Sequence, residues 1–154
     1  ASDVYKRQVI DAGALFFMKD FGCPTNAIIT PHPGEAAMLL DCSVKDIQKN
    51  RLEAAKELFR QYNCLVILKG YETIVFDGEA FKCTDGGPAL SSAGTGDVLA
   101  GLVGSFLAQG LERRDAAKFS VAIHGAAGDR FSQNKKIRGL TATKLIRIIT
   151  QEMM

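Results

Sequence analysis

Three segments of the chain place residue types where they could serve chemistry. In Ser91-Ser92-Ala93-Gly94-Thr95-Gly96-Asp97-Val98-Leu99-Ala100-Gly101, a small-residue loop runs straight into an apolar stretch of helical character. Such a junction gathers free backbone N–H groups and the positive end of a helix dipole at one point, and that point attracts phosphate. Glycine at 94 and 96 lets the backbone approach an anion without a Cβ clash, while Asp97 at the helix start can stay ionised and act as a base. The same string also fits a structural turn closed by an aspartate cap. Thr30-Pro31-His32-Pro33-Gly34-Glu35 follows a short apolar run, the place where α/β sheets open their ligand crevice. There the Glu35 carboxylate could order magnesium-bound water and the His32 imidazole could hydrogen-bond a polar substrate. A plain helix start, with Glu35 complementing the dipole, is the alternative. Lys69-Gly70-Tyr71-Glu72-Thr73 ends a second apolar run and, taken alone, reads as a polar turn with a snorkelling lysine.

These segments need elements to hold them. Val9-Ile10 reads as a strand end leading into a helix over Ala12 to Phe21, stopped by Gly22 and Pro24. Ala27 to Thr30 is a buried strand closed by prolines, and Glu35 to Leu40 is helical. From Lys49 to Tyr62 the residues Leu52, Ala55, Leu58, Phe59 and Tyr62 form one stripe, which predicts an amphipathic helix covering a sheet. Cys64 to Lys69 is apolar without alternation, the pattern of a central strand covered on both faces. Thr73 to Phe76 and Ala80 to Cys83 follow as short strands around the turn dipeptide Asp77-Gly78. The stretch from Gly96 to Ala108 is apolar on nearly every side, which predicts a buried helix. Ala116 to Phe131 and Thr141 to Met153 are two more helices, the latter opened by Thr141 as N-cap. Strands alternating with helices imply an α/β layered fold, a mostly parallel central sheet flanked by helices.

Composition excludes other classes. A chain of 154 residues with 47% apolar and 23% charged residues and a net charge of +2 has the profile of one globular domain. The longest membrane-span candidate, Val98 to Ala108, is short and broken by glycine, so no membrane partner is expected. The balance of 19 basic against 17 acidic residues gives no field for nucleic acid, and Lys135, Lys136, Arg138, Lys144 and Arg147 read as a solvated face. Cys23, Cys42, Cys64 and Cys83 never form C-x-x-C and read as small buried hydrophobes in a reducing, cytoplasmic compartment. His124, inside a predicted helix, reads as a packed histidine. Residues 1–8 carry no secretory signal; DVYKRQ at 3–8 resembles the translation of a transposase mosaic-end adapter. They are expected to be foreign to the fold, with residues 9–154 forming the C-terminal portion of a single domain incomplete at its N-terminal side.

Taken together and in order, the three segments add a family resemblance. VIDAGAL at 9–15, ITPHPGEAAMLL at 29–40, VILKGYETIV at 66–75, SSAGTGDVLAGLVGSFLAQG at 91–110, and AIHGAAGD and GLTATKLI toward the C-terminus resemble the ADP- or ATP-dependent NAD(P)H-hydrate dehydratases of the ribokinase-like superfamily. The resemblance implies a ribokinase-like fold and repair of NADH or NADPH hydrated at C6. Phosphate passes from the nucleotide to the C6 hydroxyl and is then eliminated. It implies Asp97 as the base and as a substrate contact, His32 as a contact to the hydrated cofactor, and Glu35 supporting Mg2+ through water. Nucleotide-binding positions follow as Lys69, Gly70, Tyr71, Glu72 and Thr73, and as Gly87, Pro88, Ala89, Leu90, Ser91, Ser92, Ala93, Gly94, Thr95 and Gly96. A homo-oligomer is implied for the complete protein. The chain departs from the family pattern at Gly13, where a second acidic residue is expected, and at Gly87-Pro88-Ala89-Leu90, in place of Asn-Pro-Gly-Met. A superfamily kinase acting on a vitamin-precursor alcohol, or an inactive nucleotide-binding fragment, are the alternatives.

Overall fold

The unbroken apolar run at 64–68 has no polar face to offer water, so it can only lie inside a sheet. The computed structural model describes residues 7–133 and 138–153 and places this run as β3 (Leu65–Leu68), every residue buried. It is the middle of a five-stranded sheet ordered β1 (Val9–Ile10), β2 (Ile28–Ile29), β3, β4 (Ile74–Phe76) and β5 (Ala80–Lys82). The first three strands are parallel, with Val9 opposite Ile28 and Ile28 opposite Leu65. β3, β4 and β5 form an antiparallel meander, Ile67 facing Val75 and Val75 facing Phe81.

Period-two alternation divides the strand residues between two cores. Ile29, Val66 and Leu68 join one cluster with residues of α2 (Pro33–Leu39), α3 (Val44–Lys49) and α4 (Arg51–Tyr62). Ile28, Leu65 and Ile67 join another with residues of α5 (Thr95–Ala108) and α6 (Arg113–Gln133). A third cluster, including Ala89, Val98, Ala127, Phe131, Leu145 and Ile149, ties α5 and α6 to α7 (Ala142–Ile148), which runs on as a π-turn to Met153. Helices on both faces of the sheet are the layered α/β arrangement that the alternation implies.

Several expectations are corrected. Ala12–Phe17 is a 3-10 helix, followed by the single α-turn α1 (Met18–Phe21); only Leu15 and Met18 turn inward, and Phe16, Phe17 and Phe21 are exposed. Ala12 at φ 51 starts this segment tightly, which an ordinary α-helix would not allow. The stripe from Lys49 is broken at Asn50, whose side chain caps α4, and the preceding helix α3 has its own Ser43–Asp46 capping box. Leu52 is exposed rather than part of the stripe, while Phe59 packs edge-on against Phe76, ring centroids 5.3 Å apart. α5 is buried on one side only: Val98, Leu99, Val103 and Leu107 face inward, and Asp97, Gly101 and Ser105, at i, i+4 and i+8, do not. Cys64 and Cys83 are buried, but Cys42 is exposed. Thr141 caps α7 by accepting from the Lys144 N–H at 3.3 Å. Arg138, Lys144 and Arg147 are exposed, and Lys135 and Lys136 lie outside the described residues.

Candidate functional site

The three parallel strands deliver their C-terminal ends to one place. β1 runs into Asp11, β2 into Thr30, Pro31 and His32, and β3 into Lys69, whose N–H donates to Pro31 O at 2.9 Å. The Lys69 ammonium donates to Asp11 Oδ1 at 2.8 Å and lies 3.8 Å from Glu35 Oε2, while the Thr30 hydroxyl donates to the same Asp11 oxygen at 2.7 Å. These side chains are largely shielded, Lys69 17%, Asp11 14% and Glu35 9% exposed, so removing either partner of the Lys69–Asp11 pair would strand a charge away from water. Lys69 is therefore a paired cation under the site, not a snorkelling surface lysine. A Cβ on Gly96 would stand 3.4 Å from its Nζ, which puts the ammonium directly beside the first turn of α5.

His32 caps α2. Its Nδ1 accepts from the N–H groups of Gly34 at 3.0 Å and Glu35 at 3.2 Å, so the neutral ring carries its proton on Nε2. Glu35 Oε2 accepts in return from the His32 N–H at 2.7 Å, closing a capping box, with Pro33 in the first helical turn. Both sequence readings of Glu35 bear on this geometry, and the box accounts for its position without a metal.

At α5 the chain passes through a 3-10 helix, Pro88–Ser91, and a turn pinned by the Thr95 hydroxyl, which lies 2.5 Å from Leu90 O and 2.8 Å from Ser92 O. Gly94, at φ 84, opens the 14-residue α5 with no side-chain cap, leaving backbone N–H groups to face whatever arrives. From α6, His124 reaches this turn: its Nε2 donates to Thr95 O at 2.8 Å, which requires the proton on Nε2. Burial pushes the His124 pKa below the ordinary imidazole value, the Thr95 bond opposes this, and the Lys69 charge adds to the lowering.

These loops enclose a cavity of about 520 Å³. Of the residues expected to bind nucleotide or substrate, His32, Lys69, Gly70, Tyr71, Thr73, Gly87, Pro88, Leu90, Ser91, Ser92, Thr95 and Gly96 line it. Glu72 does not; it pairs with Lys82, and Ala89 is buried in the third core. Neither Ala93 nor Glu35 lines it. Gly94 and Asp97 line a second cavity, also about 520 Å³, on another side of the same helix turn, with Val98, Gly101, Phe106, Ile146 and Ile149. The first turn of α5 thus borders both. Sequence reasoning missed Pro33, Asp85, Gly86, Leu99, Val121, His124 and Gly125 as lining residues. The available signal was the small-residue pair Gly125 and Gly128 beside His124, which marks a helix face approached closely by another backbone.

Uncapped amides and the α5 dipole suit an anion such as a nucleotide phosphate. A magnesium ion fits less directly. Among the described residues no three His, Cys, Asp or Glu side chains converge as a metal site. Glu35 has Oε2 engaged by the His32 N–H, and Asp11 is held by Lys69 and Thr30. Neither offers a free ligand set.

Comparison with known proteins converges on one family. The family profile described as NAD(P)H-hydrate dehydratase matches residues 2–151. The bifunctional NAD(P)H-hydrate repair enzyme of Vibrio cholerae is 41% identical over 141 residues, 90% of this chain and 28% of that protein. The ADP-dependent (S)-NAD(P)H-hydrate dehydratase of Neisseria meningitidis is 40% identical over 151 residues, 91% of this chain and 51% of the relative. In structure, the ADP/ATP-dependent NAD(P)H-hydrate dehydratase of Bacillus subtilis, co-crystallised with ATP and Mg2+ and soaked with CoA, superimposes with a TM-score of 0.83 at 31% identity, over 93% of this chain and 54% of that one. The chain spans about half the length of the single-function relatives, and its layers are ribokinase-like. With the family match running over residues 2–151 of the 154, the chain belongs to the NAD(P)H-hydrate dehydratase family.

Proposed function

We propose that this chain supplies the nucleotide-binding wall and the base for dehydration of C6-hydrated NADH or NADPH. The observation carrying this reading is the first turn of α5, which borders two cavities at once, one through Thr95 and Gly96 and the other through Gly94 and Asp97. A phosphoryl group held at that turn would lie between a nucleotide in the first cavity and a hydroxyl reaching Asp97 from the second. Phosphoryl transfer needs its donor and acceptor oxygens on two sides of the transferred group, and a turn bordered by two cavities leaves room for both.

Hydroxide is a poor leaving group, and the nucleotide, ADP or ATP, supplies the phosphoryl group that turns the C6 oxygen into phosphate before the C6–O bond breaks. Asp97 accepts the hydroxyl proton as the new O–P bond forms. The Gly94 and Gly96 amides and the α5 dipole stabilise negative charge developing on the transferred group. Lys69, kept in place by Asp11, holds its N–H donors beside that turn. His32, held in its Nε2–H form, offers a donor from the wall of the first cavity, on the nucleotide's side of the α5 turn. Magnesium, when bound, neutralises phosphate charge, and Glu35 could support it only through water. The relatives' activities, ADP-dependent in Neisseria meningitidis and ADP/ATP-dependent in Bacillus subtilis, support this assignment.

The test is recovery of NADH from its hydrate by the complete protein, followed at the NADH absorption band with ADP, ATP or neither. Nucleotide-dependent recovery is expected. A stable phosphorylated alcohol with no recovery would assign the chain to the kinases instead.

A further inference from the structure

Two loops wall the first cavity, 85–90 and 92–96, and a single stretch of α6 touches both. His124 Nε2 donates to Thr95 O at 2.8 Å, and Asp129 Oδ2 accepts from the Gly86 N–H at 3.0 Å. Between them, Gly125 and Gly128 present no side chain to keep the loops away. A Cβ on Gly125 would stand 2.7 Å from Asp85 O, and one on Gly128 would stand 2.6 Å from the Leu90 side chain. Positions i, i+1, i+4 and i+5 of a helix lie along one side of it. The face at 124–129 is therefore fitted to both loops at once, by two polar contacts and two close approaches.

We infer that His124 and Asp129 are positioning residues: a clasp on α6 that sets the separation between the 85–90 and 92–96 loops, and with it the shape of the nucleotide cavity. The inference rests on the nucleotide reading of that cavity. Neither residue need touch the reacting atoms. Each acts through a backbone group of the loop it holds, Thr95 C=O or Gly86 N–H. His124 is 8% exposed and has Lys69 across the cavity as its charged neighbour. Asp129 lies close to the second glycine of the loop, its Oδ1 3.8 Å from where a Gly87 Cβ would be.

Two pairs of variants of the complete protein test this. His124→Phe and Asp129→Ala remove the contacts; His124→Gln and Asp129→Asn keep a donor and an acceptor at similar reach. Losing one buried hydrogen bond to a loop should weaken ADP binding by calorimetry, and raise the nucleotide KM, by about tenfold. The KM for the hydrate should stay within about twofold, and the Gln and Asn variants should recover most of the loss, because restored geometry, not residual stability, is what the clasp supplies. Wild-type ADP affinity in the Phe and Ala variants, or equal rises in both KM values, would overturn it. If those two variants do not fold, amide exchange on the wild type decides: ADP should slow exchange in 85–90 and 92–96 together, and protection of one loop alone refutes the clasp. A wild type that binds no ADP defeats the nucleotide reading itself, and the clasp with it. A wild type that binds ADP beside unaffected variants defeats only the clasp.

Discussion

The two cavities beside the first turn of α5 have the same volume, about 520 Å³, and opposite construction. The first is closed by contacts at hydrogen-bond and van der Waals distance: Thr95 to Leu90 and Ser92, His124 to Thr95, Asp129 to Gly86. Its glycines are demanded by crowding, since a Cβ at 86, 125 or 128 would come within 2.8 Å of another atom. The second is walled by α5 and α7 with apolar side chains, and Gly101 in its wall has nothing within 4 Å of where a Cβ would stand. Among the described residues the first is a fitted site and the second an open apolar groove with one carboxylate, Asp97, at its edge. Glycine thus means close approach at 125 and 128 of α6 and spare room at 101 and 104 of α5, and the carboxylate proposed as the base belongs to the open side.

The largest effect should come from that carboxylate. Asp97→Asn keeps the size and a side-chain oxygen at the helix start, so folding and ADP affinity should hold while NADH recovery falls by about two to four orders of magnitude. Charge rather than shape is tested, because an aspartate serving only as a helix-start residue would tolerate Asn almost silently. Steady-state recovery of NADH beside calorimetric ADP binding checks it; undiminished turnover would remove Asp97 from the mechanism.

On the fitted side, Gly125→Ala should be costly. The new Cβ meets the Asp85 carbonyl at 2.7 Å, backbone that cannot swing away as a long side chain would. Overpacking of this kind costs about 1–3 kcal/mol, and it should show as a lowered denaturation midpoint together with weaker ADP binding, since the displaced loop is a cavity wall. An unchanged midpoint would mean that the loop has slack.

How much of this was legible follows from what each feature depends on. β3 could be read because an unbroken apolar run needs no knowledge of its neighbours, and the α7 start because Thr141 bonds three residues along the chain. The break at Asn50 was also written locally, in Ser43 and Asp46 as a capping box, and was overlooked in favour of the longer apolar stripe. The exposed side of α5 could not be read, since a sequence gives a helix's apolarity and not what covers it. The site splits the same way. The G-T-G-D turn and the His32 loop stand out as strings. The pairing of Lys69 with Asp11 spans 58 residues and that of His124 with Thr95 spans 29, and only the fold brings such partners together. A packed His124 is legible from its place in a helix, and its partner Thr95 is not.

The buried imidazole makes the fitted side sensitive to acid. With a folded pKa held below the ordinary value of about 6.5, the unfolded chain binds more protons in the window between the two, so stability rises with pH across it. The His124 contribution is present above pH about 6.5 and is lost as the pH falls through the folded value. His124→Gln removes the titration while keeping a donor, so denaturation midpoints measured from pH 7 downward should fall less steeply in the variant. Parallel curves would show that the imidazole is not protonated on unfolding in that range.

The smallest effect belongs to the roomy side and has the opposite sign. Gly104 lies within α5, with no strained φ and nothing within 4 Å of a Cβ position, and it lines neither cavity. Glycine inside a helix loses more backbone freedom on folding than alanine does, so Gly104→Ala should stabilise the chain by about 0.5–1 kcal/mol, with ADP affinity unchanged. Chemical denaturation at neutral pH resolves a gain of that size as a raised midpoint at constant slope. Set beside Gly125→Ala, the same chemical change made on two packed helices should move stability in opposite directions. A loss at Gly104 would mean that this face of α5 is closely covered after all, and the contrast between a fitted and an open side of the helix would fail at that point.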